Sequence, residues 1–411
     1  MKKSLLVFFF RTAGIGLLFI LNTTISRCVG VAEYGIFNLS ITIAAIGGLI
    51  APLGWPTAII RFIAEYRAKN DLASLKGIFV RANQTTFFMA LLLSGLCLLL
   101  SRIVANTLTL SLLYASLLIP ISSFVTLRQK SLQGMNAIFF SMIPDELLFP
   151  LITACCIIFV SPTTAGEVFI IYVIFSALTM LISTFLLLKV LKPLLNNIKA
   201  VYNTKKWHKI TSFILTGNIG LLLINRVDRV IIGTVCTPTE LGIYSASQQL
   251  STLTIIALSV MITIASPLLS KAYSENNIKE FIAILKKSTM LSSLFGLAVF
   301  TIIFFFARNF LSLYGNEFIY GENILKVLLI GQLIKALFGP IGIALILSGK
   351  EKTVAVLNSF SLLINILANV IIIPVYGIYG GALVSVLTFF VLNTMLFFAL
   401  RRSLSGLDIK C

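Results

Sequence analysis

Charge is scarce in this 411-residue chain: 11% of its residues are Asp, Glu, Lys or Arg, against about 25% in a soluble globular domain. So few charges cannot cover a water-soluble protein of this size, which excludes a soluble enzyme. A disordered chain is excluded too, because 58% of the residues are hydrophobic. Histidine occurs once, as His208. The six cysteines, Cys28, Cys97, Cys155, Cys156, Cys236 and Cys411, include no C-x-x-C pair. That argues against a Cys/His metal centre and a secreted disulfide scaffold, and the cysteines read as small apolar residues inside helices. Acid is scarcer than base, 14 residues against 32, for a net charge of +18. In a polytopic membrane protein such an excess reports orientation rather than a nucleic-acid partner.

What the chain has instead is long apolar runs. Crossing the hydrocarbon core takes about 20 mostly apolar residues. Twelve such runs occur, near 4–27, 34–58, 80–101, 107–127, 137–160, 165–188, 211–234, 242–268, 287–308, 323–347, 353–374 and 379–400. Nothing alternates at period two over many segments, which excludes a porin-like barrel. Met1-Lys2-Lys3 followed by an apolar run resembles a signal peptide, but the run continues through 17–21 with no A-x-A site, so it reads as an uncleaved span. The expectation is an all-α integral membrane protein of about twelve transmembrane helices in two six-helix bundles, residues 1–210 and 211–411.

With the N-terminus in the cytoplasm, twenty-four of the 32 basic residues fall at inside connections, from Lys2, Lys3, Arg61 and Arg67 through Arg128, Lys130 and Lys199 to Lys286, Arg401, Arg402 and Lys410. Only Arg27, Arg102, Arg308 and Lys326 fall on the other side. This bias puts both termini inside. The longest polar connections, 61–79, 189–210 and 270–286, read as small interfacial helices, with Phe62, Ile63, Tyr66, Leu72 and Leu75 as an apolar face. Trp55 and Trp207 read as membrane-interface markers and His208 as solvated. Pro52, Pro56 and Pro267 read as hinges or helix ends. No outside connection is long enough for a catalytic or receptor domain.

The chain also repeats itself. Ala32-Glu33-Tyr34-Gly35-Ile36-Phe37-Asn38 follows the first span, and Thr239-Glu240-Leu241-Gly242-Ile243-Tyr244-Ser245 follows the seventh, 207 residues on. Two six-helix halves of one topology are a transporter architecture. Further motifs are Ile60-Arg61-Phe62-Ile63-Ala64-Glu65-Tyr66 with Leu75-Lys76-Gly77, Asn225-Arg226-Val227-Asp228-Arg229-Val230-Ile231-Ile232-Gly233, Ser348-Gly349-Lys350, and Gly377-Ile378-Tyr379-Gly380-Gly381-Ala382. In order and spacing this set resembles the Wzx-type O-antigen and repeat-unit flippases of the multidrug/oligosaccharidyl-lipid/polysaccharide (MOP) exporter superfamily.

The resemblance implies a task at the bacterial inner membrane. Such proteins move an undecaprenyl-diphosphate-linked oligosaccharide from the cytoplasmic to the periplasmic leaflet by alternating access, some with ion coupling. It implies no cofactor. It implies as partners the lipid bilayer and, beyond the substrate, a polysaccharide polymerase and a chain-length regulator.

Four basic residues lie within spans, where charge is costly and seldom accidental. Arg11 either snorkels to the interface or lines a cavity, with Asn22 on the same face three turns on. Arg226 and Arg229 share a face at i, i+3. Asp228 pairs with either arginine or with a neighbouring helix. Lys335 lies mid-span, one turn from Gln332, facing a hydrated cavity or a carboxylate. Asp145 and Glu146 fall in span five between Pro144 and Pro150. One of the two could pair with Lys335 or Arg11 while the other faces water and serves ion coupling, with Asp228 as a further candidate. Alternatively, 134–144 is a loop and the pair caps a shorter helix. Cations at Arg11, Lys335, Arg226 and Arg229 suit a diphosphate. Asn22, Asn225 and Gln332 suit sugar hydroxyls, or else helix–helix hydrogen bonds. The competing functions are a MATE-like multidrug or metabolite exporter, whose cavity would be less basic, and a membrane-embedded polysaccharide polymerase, which needs an outside catalytic loop.

Overall fold

A computed structural model describes residues 2–104, 107–196 and 198–408. Lys410 and Cys411 fall outside them, as do the side chains of Lys2 and Lys3. Among the described residues there are helices and turns and no strand. The chain divides into two compact units, Met1–Thr216 and Gly217–Cys411.

The first unit holds α1 (Lys2–Ile50), α2 (Trp55–Ala68), α3 (Leu72–Ile103), α4 (Thr107–Gly134), α5 (Ile138–Met142), α6 (Phe149–Val160), α7 (Ala165–Leu195) and the start of α8 (Thr204–Ile224). The second holds the rest of α8, then α9 (Val227–Val235), α10 (Pro238–Thr252), α11 (Ile256–Ser274), α12 (Ile278–Phe305), α13 (Ala307–Ser312), α14 (Glu322–Phe338), α15 (Ile341–Leu347) and α16 (Glu351–Asp408).

Among the described residues, nine helical stretches are long and apolar enough to cross a membrane. Two of them are hairpins. Phe9–Ala68 runs for 60 residues and Glu351–Leu404 for 54, each more than twice what one crossing takes. Both break at a glycine with positive φ, Gly30 at 78° and Gly377 at 56°, a conformation that side chains with a Cβ resist. The hydrogen bonds show the reversals. The Tyr34 hydroxyl donates to Asn22 Oδ1 at 3.2 Å, although twelve residues of straight helix would separate them by roughly 18 Å. Asn365 Nδ2 donates to Thr388 Oγ1 at 3.0 Å across 23 residues. The seventh apolar run stands outside the nine; it is split into α8 and α9. Each of the twelve apolar runs thus has a helical counterpart.

The sequence repeat is also a repeat of turns. Asn70 and Asn276 both take positive φ, 54° and 55°. The next residue caps the following helix: Asp71 accepts the Ser74 N–H and Asn277 accepts the Glu280 N–H. The repeated glutamates act alike as well. Glu33 Oε2 accepts the Ala165 N–H at 2.7 Å, at the turn before α7. Glu240 closes a capping box with Thr237, and its Oε1 lies beside Gly377. Each glutamate therefore reaches the turn between the last two spans of its own unit.

The polar connections differ from the expectation. In 61–79 and 270–286 they are the ends and starts of span helices around tight turns, and in 189–210 the end of α7 and the start of α8 flank a non-helical stretch; none is a separate interfacial helix among the described residues. Phe62, Ile63, Tyr66 and Leu75 are buried in a protein core with Trp55, Phe79, Leu127, Leu191 and Trp207. The two tryptophans lie edge to face at 6.3 Å, and Trp207 Nε1 donates to the Tyr66 hydroxyl at 3.0 Å. They are core residues rather than interface markers, because α2 and α8 offer each other apolar faces. His208 is half-buried against the Trp55 ring at 6.0 Å. In the second unit the core runs through Ile224, Leu269, Phe281, Leu345, Phe389 and Leu396. Span two is interrupted at 51–54, beside Pro52, and span eight at Leu253–Ile255. Pro56 sits in the first turn of α2, where proline is tolerated. Pro267 stays inside α11 and marks no break.

Candidate functional site

In the first unit, span five carries a π-helical turn, Ile143–Leu148, between α5 and α6. Pro144 and Pro150 lack N–H groups. The looser pattern absorbs that loss, with the Phe149 N–H bonding to the Pro144 carbonyl. Such turns recur at functional sites. Asp145 and Glu146 lie in it, inside the candidate span Ile138–Val160, so the loop alternative falls.

Gly14 of α1 packs on this turn: a Cβ there would stand 2.8 Å from the Glu146 carbonyl oxygen. Arg11, three residues earlier and exposed, and Lys130 of α4 are the cations whose fields reach the Glu146 carboxylate. The ion pairs among the described residues lie elsewhere, so this group is a loose cluster. Lys130 Nζ donates to Gln133 Oε1 at 3.1 Å. Asp145 is half-buried, and its Oδ2 is buried with no hydrogen-bond partner. Asn22 Nδ2 donates to the Leu18 carbonyl at 2.8 Å one turn back in its own helix, and its Oδ1 accepts from Tyr34 across the first hairpin.

In the second unit, two spans break where the charges are. Span seven breaks at Asn225 and Arg226, where Arg226 leaves the helix at φ −134°. Span ten breaks at Gly339 and Pro340, with Gly339 at φ 70°. Lys335 lies one turn before that break, and its carbonyl accepts the Gly339 N–H. Its ammonium donates to Asn225 Oδ1 at 2.9 Å and stands 3.3 Å from the centre of the Phe389 ring. A desolvated cation–π contact contributes about 2 kcal/mol.

Asp228 is fully buried. Its Oδ2 accepts from the Tyr244 hydroxyl at 2.6 Å, Gln248 Nε2 at 2.9 Å and Ser385 Oγ at 3.3 Å. Its Oδ1 accepts the Arg229 backbone N–H at 2.8 Å. A buried carboxylate is tolerated only with such donors. Of the two partners anticipated for Asp228, the structure selects the neighbouring helices, α10 and α16. Its charge also acts on Lys335. Arg226 feels the charge of Arg229, as their spacing requires, and Arg229 Nε is buried without a partner. Gln332 is buried, and its Oε1 has no hydrogen-bond partner. Asn369 donates to Asn365 at 3.1 Å, and Asn365 to Thr388, so these residues tie the last hairpin together.

Sequence reasoning does not single out Lys130, which it places with Arg128 at a cytoplasmic connection. It also missed Phe389 and Tyr244, whose partners lie far away in the chain.

A family model described as "Polysaccharide biosynthesis protein" matches residues 1–273, about two thirds of the chain. The chain belongs to the polysaccharide biosynthesis protein family. A second family model, MatE, matches residues 214–371 of this polysaccharide biosynthesis protein. A probable low-salt glycan biosynthesis flippase of Haloferax volcanii is 25% identical over 206 residues; the match covers 50% of this chain and 42% of that relative's length. Among solved structures, an inward-facing multidrug resistance MATE family transporter of the MOP superfamily superposes with a TM-score of 0.79 at 14% identity over 95% of each chain. The lipid II flippase MurJ, inward closed, gives 0.73 at 15% over 100% of this chain and 90% of its own. A MOP superfamily transporter from Pyrococcus furiosus gives 0.67 at 17% over 99% and 96%. At these identities the structural likeness is one of fold. The protein is a multi-pass membrane protein whose fold is that of solved MOP-superfamily transporters, the fold that the resemblance implied.

Proposed function

We propose that the protein flips an undecaprenyl-diphosphate-linked oligosaccharide, of the O-antigen repeat-unit kind, from the cytoplasmic to the periplasmic leaflet of a bacterial inner membrane. It does so as a transporter, by alternating access coupled to an ion gradient, with both termini in the cytoplasm. The observation that carries this reading is the sign and partnering of the charges inside the span helices. Arg11, Lys130, Arg226, Arg229 and Lys335 are cations, and the Lys335 ammonium rests on a neutral amide and a ring rather than on a carboxylate. Cations held at that cost in a membrane suit an anionic substrate. A diphosphate offers oxygens that arginine can grip in pairs, while the polyprenyl tail stays in lipid.

In this reading Arg11 and Lys335 attract the diphosphate, with Arg226 and Arg229 beside Asn225. Gln332, with its free carbonyl oxygen, and Asn22 are the remaining sugar candidates. Asp145, unpartnered at its buried Oδ2, Glu146 within the fields of Arg11 and Lys130, and Asp228 are the candidates for ion coupling. The membership of the polysaccharide biosynthesis family supports this substrate class.

The test uses cells that lack their own flippase. Complementation by Lys335→Ala or Arg11→Ala lowers surface polysaccharide by roughly tenfold or more, the loss expected when one charged hydrogen bond goes, at unchanged membrane insertion. Normal polymer amount and length with both variants would overturn the assignment. The MatE match over 214–371 favours a second reading, a small-molecule exporter. That reading predicts drug or metabolite efflux from the same cells with no restored polysaccharide.

A further inference from the structure

The second unit contains a groove of about 840 Å³ that the proposed transport reaction does not use. Its walls come from α12, from the ends of α14 and α15 that flank the break, and from the last turns of α16. Leu285, Leu337, Phe338 and Phe397 line it, with Phe338 and Phe397 edge to face at 6.2 Å. Lys286 and Arg401 belong to the same lining; both are exposed, and neither is in an ion pair among the described residues. Thr289 is the other polar residue of the lining.

An apolar groove inside a membrane is filled by lipid chains. Two unpaired cations on that groove select what the chains are attached to. They flank the apolar runs 287–308 and 379–400, positions at which basic residues draw anionic lipid phosphates. The lining offers no amide or carboxylate for sugar hydroxyls, unlike the Lys335 region, so it is poorly suited to an oligosaccharide head group. Leu337 and Phe338 precede the break at Gly339 and Ile341 follows it. A chain lying in the groove therefore packs on both sides of the turn whose N–H bonds the Lys335 carbonyl.

We infer that this groove binds an anionic diacyl phospholipid. Its phosphate sits on Lys286 and Arg401, and its acyl chains lie over the break between α14 and α15. The lipid stabilises the bent form of span ten that presents Lys335. This site is separate from the candidate substrate cations and stands whether or not the transport assignment does.

The experiment is native mass spectrometry of the full-length protein with phosphatidylglycerol, phosphatidylethanolamine or undecaprenyl phosphate added. Phosphatidylglycerol is retained in preference to the other two. Lys286→Ala with Arg401→Ala lowers that retention by roughly tenfold or more, as loss of two interfacial cations should. Leu337→Trp fills the groove and displaces the lipid with both cations intact. A benzoylphenylalanine at Met290, another exposed groove residue, cross-links phosphatidylglycerol in cells, a readout independent of whether the double variant folds. Equal retention of phosphatidylglycerol and phosphatidylethanolamine overturns the inference. So does unchanged retention by the folded double variant, and so does preferential binding of undecaprenyl phosphate, which would make the groove a substrate-tail site.

Discussion

At the residue scale, the firmest structural statement concerns Asp228. Its carboxylate is buried, and four donors from the chain hold it in place. Tyr244→Phe removes one donor from a buried charge and costs about 1–3 kcal/mol. The expected outcome is a lower melting temperature of the purified protein; an unchanged melting curve would mean that the hydroxyl does not hold Asp228. Asp145 and Glu146 carry a different prediction. With Asp145→Asn and Glu146→Gln combined, transport under an imposed proton gradient falls, whereas wild-type transport would remove both from the coupling role. Arg11 and Lys335 were legible in sequence because a charge inside an apolar run stands out. Lys130 was not, since it sits beside Arg128 at a span end. Nor was Phe389, one of 32 phenylalanines, whose ring contact with Lys335 depends on how α14 meets α16.

At the element scale, the irregularities matter more than the helices. The π turn in span five and the breaks in spans seven and ten carry the charged groups. Hydropathy dips at 144–146 and at 225–229, but each dip is only a few residues long inside an apolar run of about 20, so the sequence alone reads as continuous spans there. Turn chemistry was partly legible: the repeat pointed to Glu33 and Glu240, but not to the paired turns at Asn70 and Asn276. Asp71 tests one of those turns. The Ser74 amide holds its carboxyl below the usual range, so the cap is present at neutral pH and is lost as the pH falls through that lowered value. Asp71→Ala is expected to destabilise the protein by about 1 kcal/mol at neutral pH, and by progressively less in acid. An equal difference in melting temperature at both pH values would contradict this. Gly30→Val, placed at a φ that β-branched residues avoid, should lower the yield of folded protein in membranes.

At the scale of the whole molecule, the apolar runs were the most readable feature, because a bilayer demands about 20 apolar residues per crossing. The interfacial role given to the polar connections was not sound, since amphipathicity alone does not tell a face that meets lipid from one that meets a neighbouring helix. Orientation rests on the bias of basic residues and has a direct check. Lys199 is exposed. In a background lacking the native cysteines, Lys199→Cys should be labelled only from the cytoplasmic side, and labelling from the periplasm would reverse the topology. Transport itself is tested most directly by reconstituting the purified protein into liposomes carrying a fluorescent undecaprenyl-diphosphate-linked oligosaccharide and quenching the outer leaflet. The account predicts that wild type moves the lipid across the bilayer and that Lys335→Ala does so no faster than empty liposomes; a wild-type rate equal to that of empty liposomes, or a Lys335→Ala rate equal to wild type, would contradict it.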